Sequence, residues 1–164
     1  RIGAAGKIMS GFHIARTMAL GADWCNSARG FMFSLGCIQG LNCHSDKCPS
    51  GVATQDPNRS RHLDIVDKTA RVYHFHRNTL KALAEMLGAA GLSHPRELGP
   101  EHIIRRVSEN EIQSYDQIFT FLKPNELLNA KCEHTVFKHY WENARADSFQ
   151  PPAQVARLRF TKLE

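Results

Sequence analysis

Three thiols crowd one stretch of this chain. Cys37, Cys43 and Cys48 fall within twelve positions, in the pattern C-x5-C-x4-C-P, with Pro49 directly after the last. Thiolates are soft, charged ligands that bind iron strongly, and an irregular loop lets three of them turn inward while its backbone N–H groups hydrogen-bond cluster sulfides. Three cysteines without a fourth suit a three-iron cluster. Two other chemistries use the same residues: buried, inert thiols, or a zinc site with His44 as fourth ligand. Neighbouring Cys43 and His44 do not easily reach one tetrahedral ion together.

The remaining residues with chemical capacity lack partners at useful spacing. His74 and His76 lie two apart on a helical pattern and point to different faces, so they read as solvated side chains. Tyr140 and Trp141 read as packing residues, Arg105 and Arg106 as a wet surface pair, and Cys132 as a lone thiol. Asp116 and Glu126 have no spacing that marks a general acid and base. Five cysteines (25, 37, 43, 48, 132) without a secretory signal argue against a disulfide framework and for a reducing, cytoplasmic compartment.

The elements that must position the thiols can be read in order. Residues 1 to 9 are small and apolar and predict a short buried strand running into a turn at Gly6. Ser10 caps a helix from about Gly11 to Leu20, with Phe12, Ala15 or Arg16, and Ala19 on one side, and Gly21 stops it. Residues 22–27 form a second strand candidate, and Gly30 to Leu35 a short helix ended by Gly36. Gly36 to Arg61 shows neither period 2 nor period 3.6 and predicts a long irregular loop. From a cap at Asp64 or Asp67, Val66, Ala70, Tyr73, Leu80, Leu83 or Ala84, and Leu87 recur at helical spacing until Gly88 and Gly91. His94-Pro95 and Gly99-Pro100 punctuate short helical pieces. Val136, Phe137, Tyr140, Trp141 and Ala144 mark a last amphipathic helix before a polar tail opened by Pro151-Pro152.

The chain has 164 residues, 42% hydrophobic and 23% charged, enough to bury one ordinary core. Its formal charge of +5 is not gathered into Lys/Arg runs, which argues against nucleic-acid binding. The longest apolar stretch, residues 31–38, is far short of the ~20 residues a membrane span requires. It opens at Arg1 without an initiator Met, which reads as an internal cut through a larger protein.

Several strings together resemble a known family. Gly36-Cys-Ile-Gln39, Cys43-His44, Cys48-Pro49 and residues 51–56 (Gly-Val-Ala-Thr-Gln-Asp), preceded by Gly21-Ala22-Asp23 and Asn26, resemble the synthase domain of glutamate synthase. The resemblance is continuous over about residues 3 to 56. From Asp67 to Trp141 the chain is more similar to the shorter FMN-binding glutamate-synthase-like proteins, on Asp67-Lys68, Asn78-Thr-Leu80 and residues 144–149.

The resemblance implies an α/β fold: the last two β/α units of an FMN-binding (β/α)8 TIM barrel over residues 1–56, a mainly helical extension over 57–150 and a tail over 151–164. It implies a 3Fe-4S cluster on Cys37, Cys43 and Cys48. It places Gly6 and Lys7 on the first loop holding the FMN phosphate, and Ala28, Arg29 and Gly30 on the second. Lys7 stands where the family usually has a second glycine, and Ala28-Arg29-Gly30 where it has Gly-Thr-Gly or similar. The implied reaction adds ammonia, released from glutamine by a separate amidotransferase domain, to 2-oxoglutarate, and reduced FMN delivers hydride to give L-glutamate; the cluster relays electrons. No catalytic residue falls in this chain.

Since a closed barrel takes ~250 residues, the chain reads as a C-terminal fragment, mostly helical and inactive alone, with little flavin affinity. Its partners are then the rest of the parent barrel, an electron donor, and a second copy through uncovered strand surfaces. The alternative reading is a non-catalytic helical module that binds zinc or a protein partner.

Overall fold

Ser10 does what its position predicts. Its Oγ accepts the His13 N–H at 3.3 Å and starts helix α1 (Gly11–Ala19), and Gly21, at φ 106°, ends the turn that follows. The computed structural model describes residues 1–128, 132 and 134–150. Its chain divides into two units, Arg1–Gln117 and Ile118–Glu164; the tail over 151–164 lies outside the described residues.

In the first unit, α1 connects two parallel strands, β1 (Gly3–Ala5) and β2 (Trp24–Asn26), with Gly3 opposite Trp24 and Ala5 opposite Asn26. Helix α2 (Ala28–Ser34) follows, completing the order β-α-β-α. One end of the strand pair is tied by Asp23, whose carboxylate accepts the Ile2 N–H at 2.7 Å while its own N–H donates to the Ile2 carbonyl at 2.8 Å. At the other end the Ser27 hydroxyl donates to the Ile8 carbonyl at 2.6 Å. Residues 3–5 were expected to be buried; instead Gly3 and Ala5 are exposed and Ala4 half-buried. A two-stranded sheet gives each strand one neighbour and leaves an edge open.

The cysteine stretch is irregular, apart from a 3-10 turn at Cys43–Ser45 and the four-residue helix α3 (Pro57–Ser60) capped by Asp56. Helix α4 (Ile65–Ala89) is 25 residues long and is capped by Asp64, whose carboxylate accepts the Asp67 N–H at 2.7 Å. It packs along α1 and α2, and the core sits at its first contact: Ala15, Leu83 and Leu87 are buried, with Ile14, Leu92 and Leu98 around them. The close approach needs Gly11, where a Cβ would lie 2.8 Å from the Leu83 backbone nitrogen.

The packed face of α4 matches the expected stripe at Leu83 and Leu87 and departs from it over the earlier turns. Val66, Tyr73 and Leu80 are 80%, 58% and 46% exposed, whereas Val72, Phe75, Thr79, Leu83, Met86 and Leu87 turn inward. One residue of offset rotates a helix face by about 100°, and apolar residues on both sides of α4 allow either reading.

Where short helical pieces were expected, two 3-10 turns (Pro95–Glu97, Pro100–His102) lead into an antiparallel hairpin of β3 (Ile104–Arg106) and β4 (Ile112–Ser114). Arg105 and Arg106 lie exposed on β3, and Arg106 Nη1 donates to the Glu109 carbonyl at 2.6 Å across the turn. Helix α5 (Tyr115–Ile118) lies at the division of the chain. The second unit carries α6 (Thr135–Asn143), capped by His134. Among the described residues the architecture is a small α/β arrangement of six α-helices and two small sheets, and no helix is long and apolar enough to cross a membrane.

Candidate functional site

The first thiol is held by the end of a helix. Gly36 at φ 102° lets the chain turn back on α2, so that the Gly36 N–H reaches the Phe33 carbonyl at 2.9 Å and the Cys37 N–H reaches the Met32 carbonyl at 3.0 Å. This paired closure is the Schellman arrangement, which requires the left-handed conformation glycine adopts freely. Cys37 therefore starts the loop at a fixed point.

Beyond it, Gln39, Leu41 and Asp46 take left-handed backbone conformations (φ 57°, 55° and 60°). Such conformations cost non-glycine residues energy and persist where surrounding structure imposes them. Cys43 opens the 3-10 turn and is exposed; Cys48 is buried.

Cys48 is the most strongly biased thiol described. Its Sγ and Ser50 Oγ are 3.5 Å apart. That hydroxyl, followed by the backbone amides of Ala53, Ser50 and Val52, lowers its pKa from the ordinary 9.0 to about 7, because each donor favours the thiolate over the thiol. Burial instead pushes the Cys25 thiol on β2 upward. One cysteine is thus prepared as an anion and the other is not.

Beside Cys48 lies a concave cradle of about 470 Å³ lined by Cys43, His44, Asp46, Val52, Ala53, Thr54 and Gln55. Its walls include Val52 and Ala53, whose amides serve Cys48. Among the described residues no three His, Cys, Asp or Glu side chains converge closely enough to hold a metal ion. Cys37, Cys43 and Cys48 thus share a loop but are not gathered at one point, with or without His44. The donor set nonetheless fits an iron-sulfur group: thiolates, one stabilised by amide N–H groups, beside a volume open enough for inorganic sulfide. Cys25 stands on β2, and Cys132 belongs to the second unit.

The two turns after β1 and β2 present the other candidate residues. Gly6 (φ 111°) and Lys7 (φ 55°) are both exposed, and no atom lies within 4 Å of where a Gly6 Cβ would stand. Ala28, Arg29 and Gly30 were expected on a loop, with the helix opening at Gly30; the helix opens two residues earlier, and all three form the first turn of α2. Gly30 is buried, and a Cβ there would lie 2.6 Å from the Phe75 ring of α4, so helix packing already accounts for its missing side chain. The bond from Ser27 to Ile8 fixes the spacing of the two turns.

The residues that sequence reasoning missed are Ser50, Ala53, Asp46, Thr54 and Ser27. Of these, Asp46 and Ser50, each two residues from Cys48, carry a residue-type signal.

Replacing Ser50 with Ala is expected to return Cys48 toward ordinary thiol behaviour, read as a rise in the midpoint of thiolate absorbance in the metal-free chain. An unchanged midpoint near pH 7 would contradict the role of the hydroxyl. The folded state favours the thiolate, so its contribution to stability is fully present above about pH 9 and is lost as pH falls through about 7.

A family model described as the conserved region in glutamate synthase matches residues 1–93. The glutamate synthase large subunit-like protein YerD of Bacillus subtilis is 39% identical over 118 residues, covering 72% of this chain and 22% of that protein. The archaeal-type glutamate synthase (NADPH) of Thermotoga maritima is 30% identical over 110 residues, covering 66% and 22%. The glutamate synthase (NADPH) large chain of Bacillus subtilis is 32% identical over 107 residues, covering 59% and 7%. This chain therefore spans about 22% of the length of the shorter relatives. No solved structure matches it.

Proposed function

This chain belongs to the glutamate synthase family, and from that premise we propose that it is the cluster-bearing part of a flavin-dependent oxidoreductase that makes L-glutamate from 2-oxoglutarate and glutamine-derived ammonia. Cys37, Cys43 and Cys48 hold a 3Fe-4S cluster. Gly6 and Lys7, with Ala28, Arg29 and Gly30, surround the phosphate of FMN. When bound, the flavin supplies hydride chemistry and the cluster supplies one-electron transfer.

The chain's own residues bind and orient. The exposed Gly6–Lys7 turn lets backbone approach an anion, and the Lys7 and Arg29 cations attract it. The Ser50 hydroxyl and the amides of residues 50, 52 and 53 stabilise charge on Cys48 sulfur. The observation that carries the cluster reading is this donor set beside the cradle. In the same reading β1-α1-β2-α2 are the last two units of a (β/α)8 barrel and residues 57–150 a helical extension. The substrate-binding groups and most of the flavin site come from other strands, the segment alone is inactive, and its uncovered strand edges favour self-association. The setting is reducing and cytoplasmic.

The test is iron and sulfide analysis of the chain prepared without oxygen. A three-iron stoichiometry with sulfide is expected, lost in Cys37→Ser, Cys43→Ser and Cys48→Ser and kept in Cys25→Ser. Full iron and sulfide in Cys43→Ser, or zinc in their place, would sink the assignment.

A further inference from the structure

Asp46 stands between Cys43 and Cys48, and its bonds leave that segment. Its Oδ1 accepts the Gln55 N–H at 2.6 Å, nine residues on, and its carbonyl accepts the Thr54 hydroxyl at 2.7 Å. Thr54 Oγ1 in turn accepts the Asp56 N–H at 3.1 Å, and Asp56 caps α3 through the Asn58 N–H at 2.9 Å. A second staple runs alongside: Arg59 pairs with Asp56 at 3.3 Å and donates to the Lys47 carbonyl at 3.4 Å. The segment carrying Cys43 is thus pinned to the segment that follows Cys48.

These pinned segments are the two walls of the cradle, with Cys43, His44 and Asp46 on one and residues 52–55 on the other. The wall at 52–53 also supplies amides to Cys48. Asp46 makes these bonds from a left-handed backbone, at φ 60°.

We propose that Asp46 is a positioning residue for the cluster: its carboxylate and carbonyl tie the cradle wall that carries Cys43 to the wall that follows Cys48, and so limit how far the two thiols can move apart once they hold one group. The inference rests on the cluster reading above. The role assigned to Asp46 is to hold the wall through Oδ1, which accepts the Gln55 amide, and not to ligate. Asp46 and its partner Gln55 are exposed, so the bond adds little to global stability, and its effect falls on how long the cluster is kept.

Three variants of the anaerobically reconstituted chain separate the possibilities. Asp46→Gly keeps the left-handed backbone and removes the acceptor; Asp46→Asn keeps both, since Asn retains Oδ1 and tolerates this conformation. Thr54→Val removes the second bond. The readouts are the rate of iron release to a chelator, the visible and paramagnetic signatures of the cluster, and thermal unfolding of the metal-free chain.

Outer partners of metal ligands are typically worth 10–100-fold in affinity, so Asp46→Gly is expected to release iron at least about tenfold faster. Asp46→Asn should stay within about twofold of wild type, Thr54→Val should fall between, and metal-free unfolding should stay unchanged throughout. Equal release from Asp46→Gly and wild type would overturn the clamp, as would an Asp46→Asn variant as leaky as Asp46→Gly, or a loss that follows metal-free unfolding. A wild-type chain that takes up no iron would instead remove the cluster reading, and the clamp with it.

Discussion

Gly11→Val is expected to cost about 3 kcal/mol of folding stability, read as a lower midpoint in chemical denaturation. A Cβ at position 11 would lie 2.8 Å from the Leu83 nitrogen, 3.0 Å from the Thr79 carbonyl oxygen and 3.0 Å from Met86 Cε. The first two are backbone atoms of α4, which cannot rotate aside, so the helices must separate. Separation uncovers Ala15, Leu83 and Leu87, the buried residues at the centre of the unit. Gly88→Ala is the control, since nothing lies within 4 Å of its Cβ position; in a helix it should stabilise by roughly 0.5–1 kcal/mol. If Gly11→Val unfolds with the wild-type midpoint, the α1–α4 contact is not as close as described.

The second large effect falls on the loop and spares the core. Gly51 is buried at φ 77°, its N–H donates to the Cys48 carbonyl at 3.3 Å, and a Cβ there would overlap the Arg59 carbonyl oxygen. Gly51→Ala therefore meets backbone on α3 and adds left-handed strain of roughly 1–2 kcal/mol. The chain from Ser50 to Ala53 is expected to swing away from Cys48 and take its amide donors with it. Three measurements should move together: the Cys48 pKa rises from about 7 toward 9.0, iron uptake falls, and the helical signal of α4 stays. Wild-type titration of Cys48 in Gly51→Ala would show that the loop tolerates the change.

Punctuation was the part of this fold most legible in the sequence. Ser10 and Asp64 cap the helices assigned to them, and Gly21 and Gly36 turn the chain where it was expected to turn. Helix orientation was legible only at Leu83 and Leu87, which are buried as expected. Val66, Tyr73 and Leu80 repeat as well as Val72, Thr79 and Met86 do, and the face that packs is decided by where α1 and α2 lie, which periodicity does not encode. The exposed stripe includes Ile65 and Tyr73, which with Leu35, Leu63 and Val72 line an apolar groove of about 450 Å³. The hairpin escaped notice because its strands are three residues long and all of Ile104–Arg106 is exposed, so no alternation exists to be read.

At the site, the cysteines announce themselves by type and spacing, whereas their partners do not. Amides at 50, 52 and 53 are the same group on any residue, and the left-handed turn at Asp46 follows from bonds to residues eight and nine positions on.

The contact between α1 and α4 also orders events in time. Ala15 and Leu87 are separated by roughly seventy residues, and synthesis proceeds at about 5–20 residues per second. For several seconds on the ribosome α1 therefore waits for its α4 partner. The whole cysteine segment lies between these partners, so it emerges before the core can close.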